Sequence, residues 1–123
     1  MGGNKKDIFL HDWVIDEIKN QYSKDFNEIQ TNKYGLQDNN IDGRFPDIIF
    51  GNYGQIVMIG EVEVNSTIND ISIQKWKEDM NLGINLIIFV PKVKLKSVRD
   101  LCWENKLIDK IKVLPFSVEI PIK

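Results

Sequence analysis

A chain with a single cysteine, Cys102, has no internal disulfide to rely on, and one with a single histidine, His11, offers no histidine pair for a zinc site. The lone cysteine in a helical pattern makes a reducing, cytoplasmic compartment the default expectation and reads as a small core residue. No apolar run approaches the length needed to span a bilayer; the longest, such as INLIIFV, are strand-sized. MGGNKKD leads into an amphipathic stretch rather than an apolar core, so neither a secretory leader nor a membrane association is expected. Low-complexity tracts and internal repeats are missing too. No Ser-His-Asp set, phosphate-binding Walker loop or dinucleotide fingerprint occurs, which leaves acyl transfer and nucleotide-dependent chemistry without support.

A net charge of −2 does not advertise a nucleic-acid binder. Its distribution is uneven: residues 1–91 carry 8 basic and 14 acidic side chains, whereas residues 92–123 carry 8 basic and 4 acidic. Lys92, Lys94, Lys96 and Arg99 form either a local basic patch or an ordinary solvated rim. With 123 residues, 42% of them apolar and 28% charged, the chain fits one globular domain spanning 1–123.

Apolar residues at Ile8, Val14, Ile15, Ile18 and Tyr22 recur at helical spacing and predict a first helix over 6–22. FNEIQTN alternates like a short peripheral strand, and NKYGLQDNNIDG reads as a loop. RFPDIIFG and IVMIGEVEV flank the turn signal NYGQ and predict an antiparallel hairpin. A helix follows in NSTINDISIQKWKEDMN, capped by Asn69 or Asp70, with Ile73, Trp76 and Met80 on one side. INLIIFVP has the unbroken apolarity of a strand covered on both faces. VKLKSVRDLCWENKL forms a third helix with Val98, Leu101 and Cys102 inward, and KIKVLPFSVEI a last strand. The expected fold class is α/β, in the order α-β-β-β-α-β-α-β, with a mixed central sheet flanked by helices.

The chemistry concentrates in GEVEV. Alternate strand residues share a face, so Glu61 and Glu63 lie together, and two carboxylates there repel each other unless something pairs them. The plainer account is a solvent-facing strand salt-bridged to neighbours such as Arg44. The alternative is a divalent cation, Mg²⁺ or Mn²⁺, held by Asp47, Glu61 and the backbone carbonyl of Val62, since hard cations take oxygen ligands. Asp47, just after Pro46, is either a plain strand-start residue or the partner of Glu61 across the hairpin. A two-residue turn at Tyr53-Gly54 sets Asp47 opposite Gly60, on the wrong face. An odd-length loop sets it beside Glu61, so the metal account predicts an odd loop.

Asp47 of "PD", thirteen intervening residues and "EVE" on a hairpin between two helices resemble the PD-(D/E)XK superfamily of restriction-endonuclease-like nucleases. The resemblance covers most of the chain, because that fold's αβββαβ core is the order read above, with a C-terminal helix and strand added. It implies a metal-dependent endonuclease acting on DNA, with Asp47 and Glu61 as metal ligands and Glu17 or Asp16 of the first helix assisting. The family usually carries lysine two residues after the acidic ligand; here Glu63 stands there. The resemblance allows glutamate to serve at that position, or Lys75 or Lys77 of IQKWKE to supply the ammonium, with Gln74 matching a fourth-motif polar residue. Enzymes that cut both strands are commonly dimeric, which adds a homodimer to the expectations. A catalytically silent domain of the same fold, binding nucleic acid or protein, is the other reading.

The remaining conspicuous residues read more plainly. His11 lies between apolar neighbours and is expected at the surface or boundary of the first helix. Trp13, Trp76 and Trp103 each fall on a helix and are expected as core anchors, with base stacking the minor alternative.

Overall fold

A computed structural model describes residues 5–107, 109 and 111–118. It is an α/β structure with helices α1 (Lys5–Tyr22), α2 (Asp70–Met80) and α3 (Leu95–Glu104) and strands β1 (Glu28–Thr31), β2 (Ile48–Asn52), β3 (Gln55–Val62), β4 (Asn85–Pro91) and β5 (Ile111–Phe116). The five strands form one sheet in the order β1-β2-β3-β4-β5. The first two pairings are antiparallel and the last two parallel, which makes the sheet mixed, as the element order predicted. The last residues of KIKVLPFSVEI, 119 and 120, lie outside the described residues.

The apolar periodicities become the two faces of this sheet. Val14, Ile15 and Ile18 of α1 pack on Ile48, Phe50, Val62, Ile87 and Phe89. On the opposite face, Ile73 and Trp76 of α2 and Val98 and Cys102 of α3 cover Ile49, Ile59, Leu86, Ile88 and Val90. β4 is therefore buried on both sides, and its run of five buried residues explains its lack of alternation. Asn69 caps α2 by accepting from the backbone N–H of Ile71 and Ser72, leaving Asp70 as the first helical residue. Cys102 sits in this core, where burial pushes its thiol up to about 11, as suits an inert packing residue. Among the described residues no helix is long and apolar enough to cross a membrane.

Two expectations require correction. Only Trp76 is a core tryptophan; Trp13 and Trp103 are 41% and 70% exposed. Helical spacing puts an indole near a face without saying whether the neighbouring element reaches far enough to cover it. The hairpin loop, secondly, is not odd. Tyr53 and Gly54 form a two-residue turn with φ of 52° and 82°, and Asn52 pairs with Gln55 and Gly51 with Ile56. Phe50, however, pairs with Met58 and Ile48 with Gly60, so Val57 is an extra residue bulged out of β3. The bulge changes the register by one, which brings Asp47 beside Glu61 after all. Gly51 permits it: a Cβ there would lie 2.9 Å from the carbonyl oxygen of Gln55.

Candidate metal centre at the carboxyl end of the sheet

β1, β3, β4 and β5 run one way and β2 the other, so the end of β3 and the start of β2 lie at the same rim of the sheet. Asp47 stands at that start, its backbone N–H donating to Oε1 of Glu61 at 3.2 Å. Its own Oδ2 accepts from the backbone N–H of Val62 at 2.8 Å and from Nε2 of His11 at 3.0 Å. His11 reaches across from α1, and its Nδ1 lies 3.0 Å from Oδ1 of Asp12, an oxygen that also accepts from the backbone N–H of Tyr34. The helix residue beside Asp47 is thus His11 and neither of the acidic candidates. Asp16 pairs with Lys33 at 2.8 Å, and Glu17 is exposed beside Trp13 and Lys24 in a groove against the end of β5, apart from the Asp47 cavity. Neighbouring apolar residues had suggested only a boundary position for His11; its bond to Asp47 spans 36 residues and has no local signal.

Glu61 and Glu63 share a face as the alternation required, but that face is buried, with side chains only 2% and 1% exposed. The plainer account of a solvated strand is therefore set aside, and Arg44 does not pair with either glutamate. It bonds Asp79 and Glu78 of α2 instead. Lys75, one turn into α2, supplies the cation: its Nζ lies 3.0 Å from Oε2 of Glu63 and 3.9 Å from Oε1 of Glu61. Glu63 is saturated beyond this, accepting from the indole N–H of Trp76 at 2.9 Å and from the hydroxyl of Thr67 at 2.7 Å. Lys77 is two positions further along, about 200° around the helix from Lys75, and takes no part in this cluster. Gln74 faces outward, bonds Glu78 at 3.4 Å and borders the outer cavity from which Glu61 is reached.

The electrostatics divide these carboxyls. Burial alone would raise Asp47, but the hydrogen bond and charge of His11, the charge of Lys75 and the Val62 N–H outweigh it and hold Asp47 below the ordinary carboxylate range. Burial would likewise lower His11, and Asp47 and Asp12 overcome it, taking the imidazole up to about 9. Lys75 is held above its usual value by Glu61, Glu63 and Asp47 against the cost of burial. Glu61 goes the other way: burial first, then Asp47 and a hydrogen-bonded approach to Asp79, push it well above the carboxylate range despite Lys75. Asp79 Oδ2 is the one buried side-chain oxygen without a hydrogen-bond partner among the described residues, and a proton on Glu61 would supply its donor.

The inner carboxyl groups Asp47, Glu61, Glu63 and Asp79 thus meet His11, Lys75 and Arg44, two of which are shared with the more exposed Asp12 and Glu78. The one of the four without a close cation is Glu61, next to Asp47 and 3.9 Å from the Lys75 ammonium. A hard divalent ion bound by those two carboxyls would relieve it, and the donor set of carboxylate oxygens fits Mg²⁺ or Mn²⁺. Among the described residues no group of three or more histidine, cysteine or acidic side chains is placed to hold a metal ion. The basic candidates of the C-terminal part lie elsewhere: Lys92 and Lys94 in a short 3-10 turn after β4, Lys96 paired with Asp100, and Arg99 on the carbonyl of Val113. The chain has no match among protein-family models, curated proteins or solved structures.

Proposed function

We propose that the protein is a divalent-metal-dependent nuclease that hydrolyses phosphodiester bonds of DNA. The observation that carries the reading is the register change at Val57, which sets Asp47 beside Glu61, with the Lys75 ammonium 3.9 Å from Glu61 and 3.0 Å from Glu63. This occurs within the element order of the nuclease fold the sequence resembles. Asp47 and Glu61 would hold Mg²⁺ or Mn²⁺, and the bound ion supplies phosphoryl polarisation and an acidified water. His11 fixes the orientation of the Asp47 carboxylate from behind, and the Val62 N–H fixes it from β3. Lys75 takes the role of the lysine that the motif lacks at position 63, with Glu63, Trp76 and Thr67 as the anchor that aims it. Its ammonium then stabilises negative charge developing on a phosphoryl oxygen. Glu63 itself, enclosed and saturated, is a positioning residue rather than a catalytic one.

The test is Mn²⁺-dependent cleavage of duplex, single-stranded and branched DNA by the wild-type protein and by Glu61→Ala. Cleavage that disappears in the variant supports the reading; undiminished cleavage overturns it. A catalytically silent binding domain is the second reading, favoured by the ion pairs that already occupy Asp47 and Glu63. Calorimetric titration with Mn²⁺ separates the two, since absence of binding at millimolar metal, with and without DNA, supports silence.

A further inference from the structure

The site is recessed. The side chains of Asp47, Glu61 and Glu63 are 13%, 2% and 1% exposed, and Asp47, Glu63 and Lys75 are reached through a cavity of about 320 Å³. One wall is the N-terminal part of α1 and the other is the segment after β1, where Tyr34 stands 46% exposed at the cavity edge. That segment is rigidly built. Asn32, itself buried, donates to the carbonyls of Asn39 and Pro46 and accepts from the N–H of Asn39, Asn39 donates to the carbonyl of Thr31, and the N–H of Tyr34 is fixed to Asp12. A volume near the lower end of small-molecule sites has room for one nucleotide and not for a length of duplex.

Resting on the nuclease reading, we propose that this cavity is a single-nucleotide subsite for single-stranded nucleic acid, in which one base stacks on Tyr34 while its phosphate reaches Lys75 and the ion that Asp47 and Glu61 would hold. A duplex is stiff and too wide for a recess of this size, so seating one of its nucleotides there requires local distortion or unstacking at a cost of a few kcal/mol; a single strand bends in without that cost. A base lying on an exposed ring is recognised through its π-face, which makes the preference one of strandedness and not of sequence.

Fluorescence anisotropy tests this with a labelled mixed-sequence oligonucleotide, single-stranded or annealed to its complement, on otherwise wild-type protein with Ca²⁺, which takes the same oxygen ligands in place of Mg²⁺. The single strand is expected to bind more tightly than the duplex. Tyr34→Ala should weaken single-strand binding roughly five- to hundredfold, and Tyr34→Phe should retain it. Tyr53→Asn, on the exposed hairpin turn at the far end of β2 and β3, should leave it unchanged. Equal or tighter duplex binding, indifference to Tyr34→Ala, or no binding of either form overturns the subsite. Wild-type protein that cleaves DNA while showing any of those results keeps the nuclease reading and loses only the subsite; protein that binds through Tyr34 and never cleaves does the reverse.

Discussion

If Glu63 merely stood in for the lysine of the motif the sequence resembles, Glu63→Lys would complete that motif and, on the nuclease reading, raise activity. Its surroundings predict the opposite. The carboxylate at 63 accepts the Trp76 indole N–H at 2.9 Å and the Thr67 hydroxyl at 2.7 Å and pairs with Lys75 at 3.0 Å, with its side chain 1% exposed. A lysine there leaves two donors pointing at a third and sets a second ammonium, itself enclosed, against that of Lys75. Breaking a buried ion pair by removing one partner costs about 3–5 kcal/mol, and each orphaned donor adds about 1–3 kcal/mol. A total of roughly 5 kcal/mol or more is comparable with the whole stability of a small domain, about 5–15 kcal/mol. For a domain of this length each kcal/mol moves Tm by about 3–5 °C, so a drop of about 15–25 °C is expected. Thermal unfolding followed by circular dichroism, with a urea titration for the free energy, measures it. Glu63→Gln should fall in between, at about 1–3 kcal/mol, because its oxygen still satisfies one donor. The charge swap Glu63→Lys with Lys75→Glu should recover part of the loss by restoring the pair, though not the indole and hydroxyl bonds. A Glu63→Lys protein that unfolds within about 5 °C of wild type and cleaves better would refute both the anchoring role and the magnitude.

Glu61→Gln should stabilise the protein at neutral pH by about 0.5–2 kcal/mol and, on the nuclease reading, abolish Mn²⁺-dependent cleavage, read by urea denaturation beside the nuclease assay. The sign follows from linkage: a carboxyl raised in the folded state favours folding at low pH and loses that contribution as pH rises through its folded value, so the difference between the two proteins should vanish in acid. His11 works the same way around a higher range. Held at about 9 when folded against 6.5 when unfolded, it contributes about 3 kcal/mol that is complete below pH 6.5 and gone above pH 9. Wild-type stability should therefore fall between pH 6.5 and 9 by that amount, and His11→Asn should flatten the curve; an equally steep curve in the variant would reject the Asp47 pairing. Gly51→Ala forces a Cβ within 2.9 Å of the Gln55 carbonyl and should cost about 1–3 kcal/mol, with cleavage falling further than stability because the bulge sets the Asp47 register. Arg44→Ala strips a fully buried Asp79 of its cation and should cost about 3–5 kcal/mol in the same denaturation assay.

The element order was legible because it rests on local physics: helical spacing in α1 and α2, a turn pair at Tyr53-Gly54, an Asn cap, and an apolar run too long to alternate. Pairing across the hairpin was not. The turn residues correctly indicate a two-residue loop, and nothing in QIVMIG marks Val57 as the bulged position, because a bulge is chosen by packing on both faces of the sheet. His11 and Lys75 show the same boundary from the side of the site. Lys75 could be named because IQKWKE lies on the helix after the hairpin, but helical spacing alone could not choose it over Lys77. His11 could not be named, since its partner is 36 residues away on another element. Trp13 and Trp103 failed for a related reason: amphipathic spacing locates a stripe, and the extent of the neighbouring layer decides which end of it is covered.

The two glutamates of GEVEV, equivalent in the sequence, separate once their partners are known. Glu63 is what the fold uses: three donors converge on it, it stabilises the packing of α2 on β3, and its removal is costly. Glu61 is what the fold tolerates. It accepts one backbone N–H at 3.2 Å, stands 3.9 Å from its nearest ammonium, and is crowded by Asp47 and Asp79 so that its charged form is disfavoured. A buried carboxyl kept at a net cost, beside a second carboxylate fixed from two sides, is the signature expected of a group retained for binding something positive. The alternative, that Glu61 merely bridges Asp79 through a proton, predicts that glutamine, whose amide also donates, folds as well or better and leaves metal affinity unchanged. The two accounts thus agree on the stability of Glu61→Gln and part on metal affinity: a divalent ion that binds wild type and not the variant assigns Glu61 to the site, and equal affinity assigns it to the core.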